Sequence, residues 1–227
     1  MILGIVPARS GSKSVKHKNI KLLAGKPLIY YSIKVGLDCK QIDKLVVSTD
    51  SQKYAKIARK YGAGVILRPK GLAEDDTPMI PVLQHAVKQI ESKREKVEVV
   101  ILLDPTSPLR TAEDVKKCLD KLKLPETDSV VTVCKVEHNP YYVMVEEENN
   151  YLKYSLFKPE KKIKRRQDAQ SVYRVNAAVY AIKRDVLMKG QIFTKKTRMV
   201  KMPQKRSGHI DSQDDFKYVE YLFKEGL

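Results

Sequence analysis

The sequence predicts an α/β protein built on an open, mostly parallel sheet flanked by helices on both faces. Three observations carry that expectation. Over the first two-thirds of the chain, short runs rich in Val and Ile alternate with segments whose apolar residues recur at helical spacing. Residues 97–103, VEVVILL, are near-continuously apolar, as in strands buried on both faces. The β-α-β-α order itself favours parallel pairing, because each helix supplies the crossover that parallel neighbours need.

Each element can be justified in turn. Residues 2–6, ILGIV, read as a buried strand that runs into a loop containing Gly and Lys. A helix follows over 27–39, offering Leu28, Ile29, Ile33 and Leu37 to one side. KLVVS at 44–48 is the next strand, and Asp50 or Ser51 is placed to cap a helix bearing Tyr54, Ile57, Ala58 and Tyr61. GVIL at 64–67 is a short strand. Ile80, Leu83, Val87 and Ile90 then form a helical stripe ahead of the 97–103 strand. Thr111-Ala-Glu-Asp114 has the form of a capping box before Val115, Cys118, Leu119 and Leu122. DSVVTVC at 128–134 returns to strand.

Between about 137 and 170 the alternation lapses. Strand-like runs at 141–146 and 151–157 flank Glu147-Glu148-Asn149-Asn150, which reads as a hairpin turn, and a basic linker follows. The 137–170 segment is therefore expected to leave the main sheet, as a surface hairpin or a dimerisation arm. The strand pattern resumes over 172–182, and a last helix starts near Ser212 to bury Phe216, Val219, Tyr221 or Leu222, and Phe223. A length of 227 residues suits one domain over 1–227.

Composition narrows the function classes. The chain is 42% hydrophobic with a net charge of +17, so it is neither disordered nor a membrane span of about 18 apolar residues. Its N-terminal MILGIVPARSG lacks the form of a signal peptide. Cys39, Cys118 and Cys134 form no CxxC pair and read as reduced, buried thiols, which places the protein in the cytoplasm and excludes a disulfide frame or zinc site. His17, His85 and His138 have no metal-ligand spacing. The positive excess clusters at 13–26, 153–168 and 195–206, a pattern that suits an anionic partner or a solvated face. No helix-turn-helix, RNP-like or zinc-finger pattern is present, and there is no Trp and no stacking platform. Nucleic acid is thus disfavoured and a polyphosphate substrate favoured.

In open α/β sheets, ligands bind beyond the carboxyl ends of the strands. Four polar segments fall there. Pro7-Ala8-Arg9-Ser10-Gly11-Ser12-Lys13, continuing to Lys18-Asn19, presents backbone N–H groups and cations at spacings able to surround a triphosphate. It is neither a Walker A loop nor GxGxxG. Leu102-Leu-Asp104-Pro105-Thr106-Ser-Pro-Leu-Arg110 ends a buried strand; Asp104 can meet a cation, accept a sugar hydroxyl or cap the turn, and Arg110 can pair with a nearby acid. Arg165-Arg166-Gln167-Asp168 precedes Tyr173-Arg-Val-Asn176. Last, His209-Ile-Asp211 opens the final helix, where Asp211 can bind magnesium or serve as a helix-start carboxylate.

The order of these motifs resembles the acylneuraminate cytidylyltransferases, the CMP-sialic acid synthetases and their relatives acting on legionaminic and pseudaminic acids. The signatures are IVPARSGSK…KN (5–19), GKPLIYYSI (25–33), VVSTDS (46–51), RPKGLAEDDT (68–77), LLDPTSPLR (102–110), RRQDAQSVYRVNAAVYA (165–181) and HIDSQDDF (209–216). The resemblance implies a Rossmann-like sheet of the nucleotide-diphospho-sugar transferase type. It also implies a reaction in which the C2 hydroxyl of a nonulosonic acid attacks the α-phosphate of CTP, releasing pyrophosphate. Ala8, Arg9, Ser12, Lys13, Lys18, Asn19, Arg68 and Asp75 would hold the nucleotide, with Arg9, Lys13 and Lys18 catalytic. Asp104, Pro105, Thr106, Arg166, Gln167, Asn176, Tyr180, Ile192 and Phe193 would receive the sugar, the last two across a homodimer. Mg2+ is the implied cofactor, with Asp211 as its ligand and His209 beside it.

Three positions depart from that family's usual pattern. Asp104 stands where Gln is common, Ala177 replaces the Gly of Asn-Gly-Ala, and His209 replaces the first Asp of Asp-Ile-Asp. The rival readings are the same chemistry on the eight-carbon acid Kdo, an inactive member, or a basic nucleic-acid-binding relative. The RRQ…Tyr…Asn block and the His209 segment favour the nine-carbon branch.

Overall fold

A computed structural model describes residues 1–12, 14–154 and 170–226. Strand β1 (Ile2–Pro7) passes through a loop, a 3-10 turn at Lys18–Ile20 and a small ribbon, β2 (Leu22–Leu23) and β3 (Lys26–Pro27), into α1 (Leu28–Asp38). Then follow β4 (Lys44–Thr49), α2 (Gln52–Lys60), β5 (Gly64–Leu67), α3 (Met79–Glu91), β6 (Val99–Leu102), α4 (Ala112–Leu122) and β7 (Ser129–Lys135). The chain continues with α5 (Pro140–Val143), β8 (Val145–Glu148), β9 (Tyr151–Tyr154), β10 (Tyr173–Lys183), α6 (Arg184–Met188), β11 (Thr197–Lys201) and α7 (Gln213–Lys224).

The main sheet has seven strands in the order β11-β7-β10-β6-β1-β4-β5. All pairings are parallel except those of β10, which runs antiparallel to both β6 and β7. The expected mostly parallel α/β sheet is what forms. Period-two alternation sorts the strand residues between two cores. Val6, Ile101 and Leu103 meet α1, α2 and α4 on one face. Leu3, Ile5, Val100 and Leu102 meet α3 and α6 on the other. A third cluster seats α7, through Phe216, Val219 and Leu222, on Leu28, Leu109 and Ile210. Gly36 lets α1 approach β4, since a Cβ there would lie 2.5 Å from Leu45 Cδ1.

Local signals behave as the residue types demand. Ser51, not Asp50, caps α2, its Oγ accepting from the Tyr54 amide. The Thr111/Asp114 capping box is present, and a second one, Ser212/Asp215, opens α7. All three cysteines are buried and unpaired, and burial pushes the Cys118 thiol up to about 12. Among the described residues no helix is long and apolar enough to cross a membrane.

Two elements differ from expectation. The strand expected at 141–146 is replaced by α5 and then β8, because Asn139 caps and Pro140 opens a helical turn. The hairpin turn narrows to Asn149-Asn150, both with positive φ (54° and 64°), the backbone a two-residue turn requires. Strand β9 covers Tyr151–Tyr154; residues 155–157 of that expected strand lie outside the described residues. Strand β11 carries little strand signal, since TRMVK sets an adjacent Met199-Val200 pair between basic residues of a basic cluster and sits at the sheet edge.

Candidate active site

The carboxyl ends of β1, β5 and β6 open onto a cleft of about 370 Å³. Pro7, Arg9, Ser12, Lys18, Asn19, Arg68, Asp104, Thr106 and Asp211 line it, with Leu72, Met79 and Val82 supplying an apolar wall. Residues as far apart in sequence as Pro7 and Asp211 meet here, beyond the carboxyl ends of the strands, as the open-sheet rule anticipates. Lys13, Arg165, Arg166 and Gln167 lie outside the described residues.

The loop after β1 is pinned at its base. Ser10 donates from its amide (2.8 Å) and hydroxyl (2.6 Å) to the Asp50 carboxylate at the end of β4. Asn19, buried, donates from Nδ2 to the Arg9 carbonyl at 3.0 Å. Ala8 is fully buried and its amide bonds to the Ser48 carbonyl. These residues shape the loop, while Arg9 and Lys18 put charge into the cleft. Arg9 is ion-paired with Asp75. Lys18 Nζ donates to the Ile210 carbonyl at 2.7 Å and stands 3.9 Å from Asp211 Oδ1.

Arg68 is buried, and burial lowers its guanidinium to about 10 although Asp50 opposes the shift. Its Nη1 donates to the Leu72 carbonyl, but Nε has no hydrogen-bond partner among the described residues. A buried donor left unpaired in a cleft is costly, and an acceptor on a ligand relieves that cost.

Asp104, Thr106, Ser107, His209 and Asp211 form one connected polar chain. Asp104 Oδ1 accepts from the Thr106 amide (3.0 Å) and hydroxyl (2.7 Å). Thr106 Oγ1 and Ser107 Oγ each lie 3.1 Å from His209 Nδ1, and His209 Nε2 lies 3.2 Å from Asp211 Oδ1. Tyr180 sits close enough to Asp104 that the carboxylate, after burial, raises its phenol. Phe193, exposed, meets the Tyr180 ring at 6.4 Å, and Ile192 packs on the core beside them.

Two expected sugar contacts stand behind this polar chain. Pro105 is buried. Asn176 is 1% exposed, donating to Ser207 Oγ and accepting from the Ala178 amide. Ala177, next to it, has φ 55° at the point where β10 shifts register against β7. Arg110 pairs with no carboxylate by hydrogen bond; it is buried and donates to the Ala178 carbonyl (2.6 Å), Ser32 Oγ (2.7 Å) and the Asp104 carbonyl.

Sequence reasoning missed the anchors of the 203–211 loop. Arg206 forms a two-pronged ion pair with buried Asp114, and Arg174 donates to the Ser207 carbonyl at 2.9 Å. Asp114 was legible only as a capping residue. Its carboxyl is held below the usual range: burial raises it, but Arg206 and Thr111 together outweigh that.

Among the described residues no three His, Cys, Asp or Glu side chains gather to hold a metal. The donor set nonetheless suits magnesium bound with a polyphosphate. That ion keeps several waters and takes phosphate oxygens, so one exposed carboxylate at the cleft, Asp211, is enough protein contribution.

Residues 3–225 match the Cytidylyltransferase family. The chain is 36% identical to a CMP-N,N'-diacetyllegionaminic acid synthase of Campylobacter jejuni over 97% of its length and 94% of the relative's. It is 34% identical to post-translational flagellin modification protein B of Campylobacter coli, covering 99% and 95%. In fold it is similar to a CMP:2-keto-3-deoxy-manno-octonic acid synthetase solved with CTP, with TM-score 0.74 and 17% identity over 100% and 99% of the two chains. The chain therefore belongs to the cytidylyltransferase family and is a CTP-dependent nucleotidyltransferase.

Proposed function

We propose that this enzyme activates a sialic-acid-like nonulosonic acid, its C2 hydroxyl attacking the α-phosphate of CTP to give the CMP-sugar and pyrophosphate. The observation that carries this reading is the mixed lining of the cleft. Arg9, Lys18 and Arg68 bring cations to it, and Asp104 and Thr106, with Tyr180 near Asp104, bring groups able to bind hydroxyls. The cations would stabilise charge moving onto the leaving pyrophosphate, and the hydroxyl-binding groups would orient the attacking hydroxyl.

Magnesium fits beside Asp211, where it would act as a Lewis acid on phosphate oxygens. Lys13 would join the phosphate side, and Arg166 and Gln167 the sugar side, by their place in the motifs. Asp75 would exchange its hold on Arg9 when phosphate arrives. We further assign residues 137–170 to a homodimer contact inside one domain of 1–227, supported by the exposed Val143, Met144, Val145, Tyr151, Leu152 and Phe193.

The test is pyrophosphate release from CTP with magnesium across neuraminic, legionaminic and pseudaminic acids and Kdo, with ATP, GTP and UTP as controls. Release dependent on CTP and one nine-carbon acid is the expected result. Preference for Kdo, or no release from a folded protein, would overturn the proposed acceptor.

A further inference from the structure

Arg110 lies outside the cleft lining, yet it is the best-connected cation beneath it. Asp104 and Asp114 act on this guanidinium only through space and burial outweighs them; a buried charge so placed is unfavourable, and an apolar side chain of similar size would usually serve packing better. What Arg110 gains is geometric. Its planar fork donates to three separate elements: Ser32 on α1, the Asp104 carbonyl just after β6, and the Ala178 carbonyl within the β10 irregularity.

The Asp104 carbonyl also accepts from the Ser107 amide at 3.2 Å, while its carboxylate accepts from Thr106. The Asp104 peptide is thus held from below and its side chain from the cleft side. Ser32 Oγ also donates to the Asp104 carbonyl (3.4 Å) and Ser107 Oγ to the Asn176 carbonyl on β10 (3.0 Å), but among the described residues Arg110 is the side chain that bonds to α1, this turn and β10 together.

We propose that Arg110 is a positioning residue: by clamping the Asp104 and Ala178 carbonyls to α1, it aims the Asp104 carboxylate at the acceptor. Arg110 touches no substrate itself. The inference rests on the reading above that Asp104 faces the acceptor sugar acid.

The experiment compares wild type with Arg110→Lys, which keeps the charge and loses the fork. The expected result is a KM for the sugar acid raised about tenfold or more, the scale of a lost charge-assisted hydrogen bond, with CTP affinity essentially unchanged. In an Asp104→Asn background the same substitution should add little, because both act through one group. Independently of any sugar, the Thr106 and Ile210 amide signals of the ligand-free protein should shift, while those of β1 and α2 stay in place.

If Arg110→Lys does not fold, Ser32→Ala, which removes one of the three acceptors, should move the same readouts in the same direction. Wild-type sugar KM with unmoved Thr106 and Ile210 amides would overturn the proposal. So would equal losses toward CTP and sugar, or additive effects in the double variant. A wild-type enzyme inert to every sugar acid would sink the proposed acceptor instead, leaving the amide readout to decide the role of Arg110.

Discussion

Replacing Ala177 with glycine should stabilise this protein. Ala177 has φ 55°, in the left-handed region, within a strand whose register against β7 breaks between Val175 and Tyr180. A side chain in that region costs about 1–2 kcal/mol through the clash of Cβ with the following carbonyl. Glycine removes the clash but brings about 0.5–1 kcal/mol of extra chain entropy to the unfolded state. The balance favours Ala177→Gly by about 0.5–1 kcal/mol. For a chain of this size that corresponds to a rise in Tm of about 1–4 °C. Urea unfolding followed by far-UV circular dichroism measures it directly, with the midpoint moving and the slope unchanged. Ala178→Gly is the control: this neighbour is fully buried and outside the left-handed region, so it should lose about 1 kcal/mol. A lower midpoint for Ala177→Gly, or shifts of the same sign in both variants, would refute the strain argument.

Other outcomes follow from the site and its supports. Arg9→Ala and Lys18→Ala should each cut turnover by about 100-fold or more without lowering the unfolding midpoint appreciably; near-native turnover would remove them from phosphate stabilisation. His209→Asp sets a second carboxylate beside Asp211 and should lower the magnesium concentration for half-maximal rate, which a metal titration reads. The folded Asp114 carboxyl titrates below its unfolded value, so its contribution is present above the ordinary carboxylate pKa and is lost as pH falls through the folded one. Accordingly, the unfolding free energy of Asp114→Asn should lie below wild type near pH 7, by about 3 kcal/mol for a broken buried pair, and the gap should narrow only as pH falls below the ordinary carboxylate range. The three buried thiols should resist a thiol reagent at pH 8 in the native protein and react fully once it is unfolded.

Much of the architecture is legible in the sequence because strands buried on both faces are written as unbroken apolar runs. ILGIV, KLVVS and VVILL needed no context, and Thr111 and Ser51 announced their helices by side-chain chemistry. Edge strand β11 was not legible, since half-exposed positions tolerate Arg and Lys and its pattern merged with a basic cluster. Pro140 overrode the strand-forming Tyr-Tyr-Val that follows it. The cleft gathers Arg9, Lys18, Arg68, Asp104 and Asp211; Arg9 and Asp104 are legible from the strands they follow, whereas Arg68 is legible only from the motif it shares with the family. Asn176 and Arg110 were harder. A polar residue in a motif reads the same from sequence whether it faces a ligand or ties the backbone behind it, and only their burial separates the two.

The one antiparallel strand of the main sheet has a consequence for how the chain is made. In the sheet β7 touches only β10 and β11, both later in sequence. As synthesis proceeds, β5, β4, β1 and β6 can assemble early, leaving the apolar Val99–Leu102 edge of β6 open and β7 without either partner. That state persists until β10, beginning at Tyr173, inserts between them and closes the gap. An exposed apolar edge awaiting a distant strand is the setting in which nascent chains associate with one another. Chains halted before residue 173 should therefore aggregate, and the insertion of β10 is the step that turns two incomplete halves into one sheet.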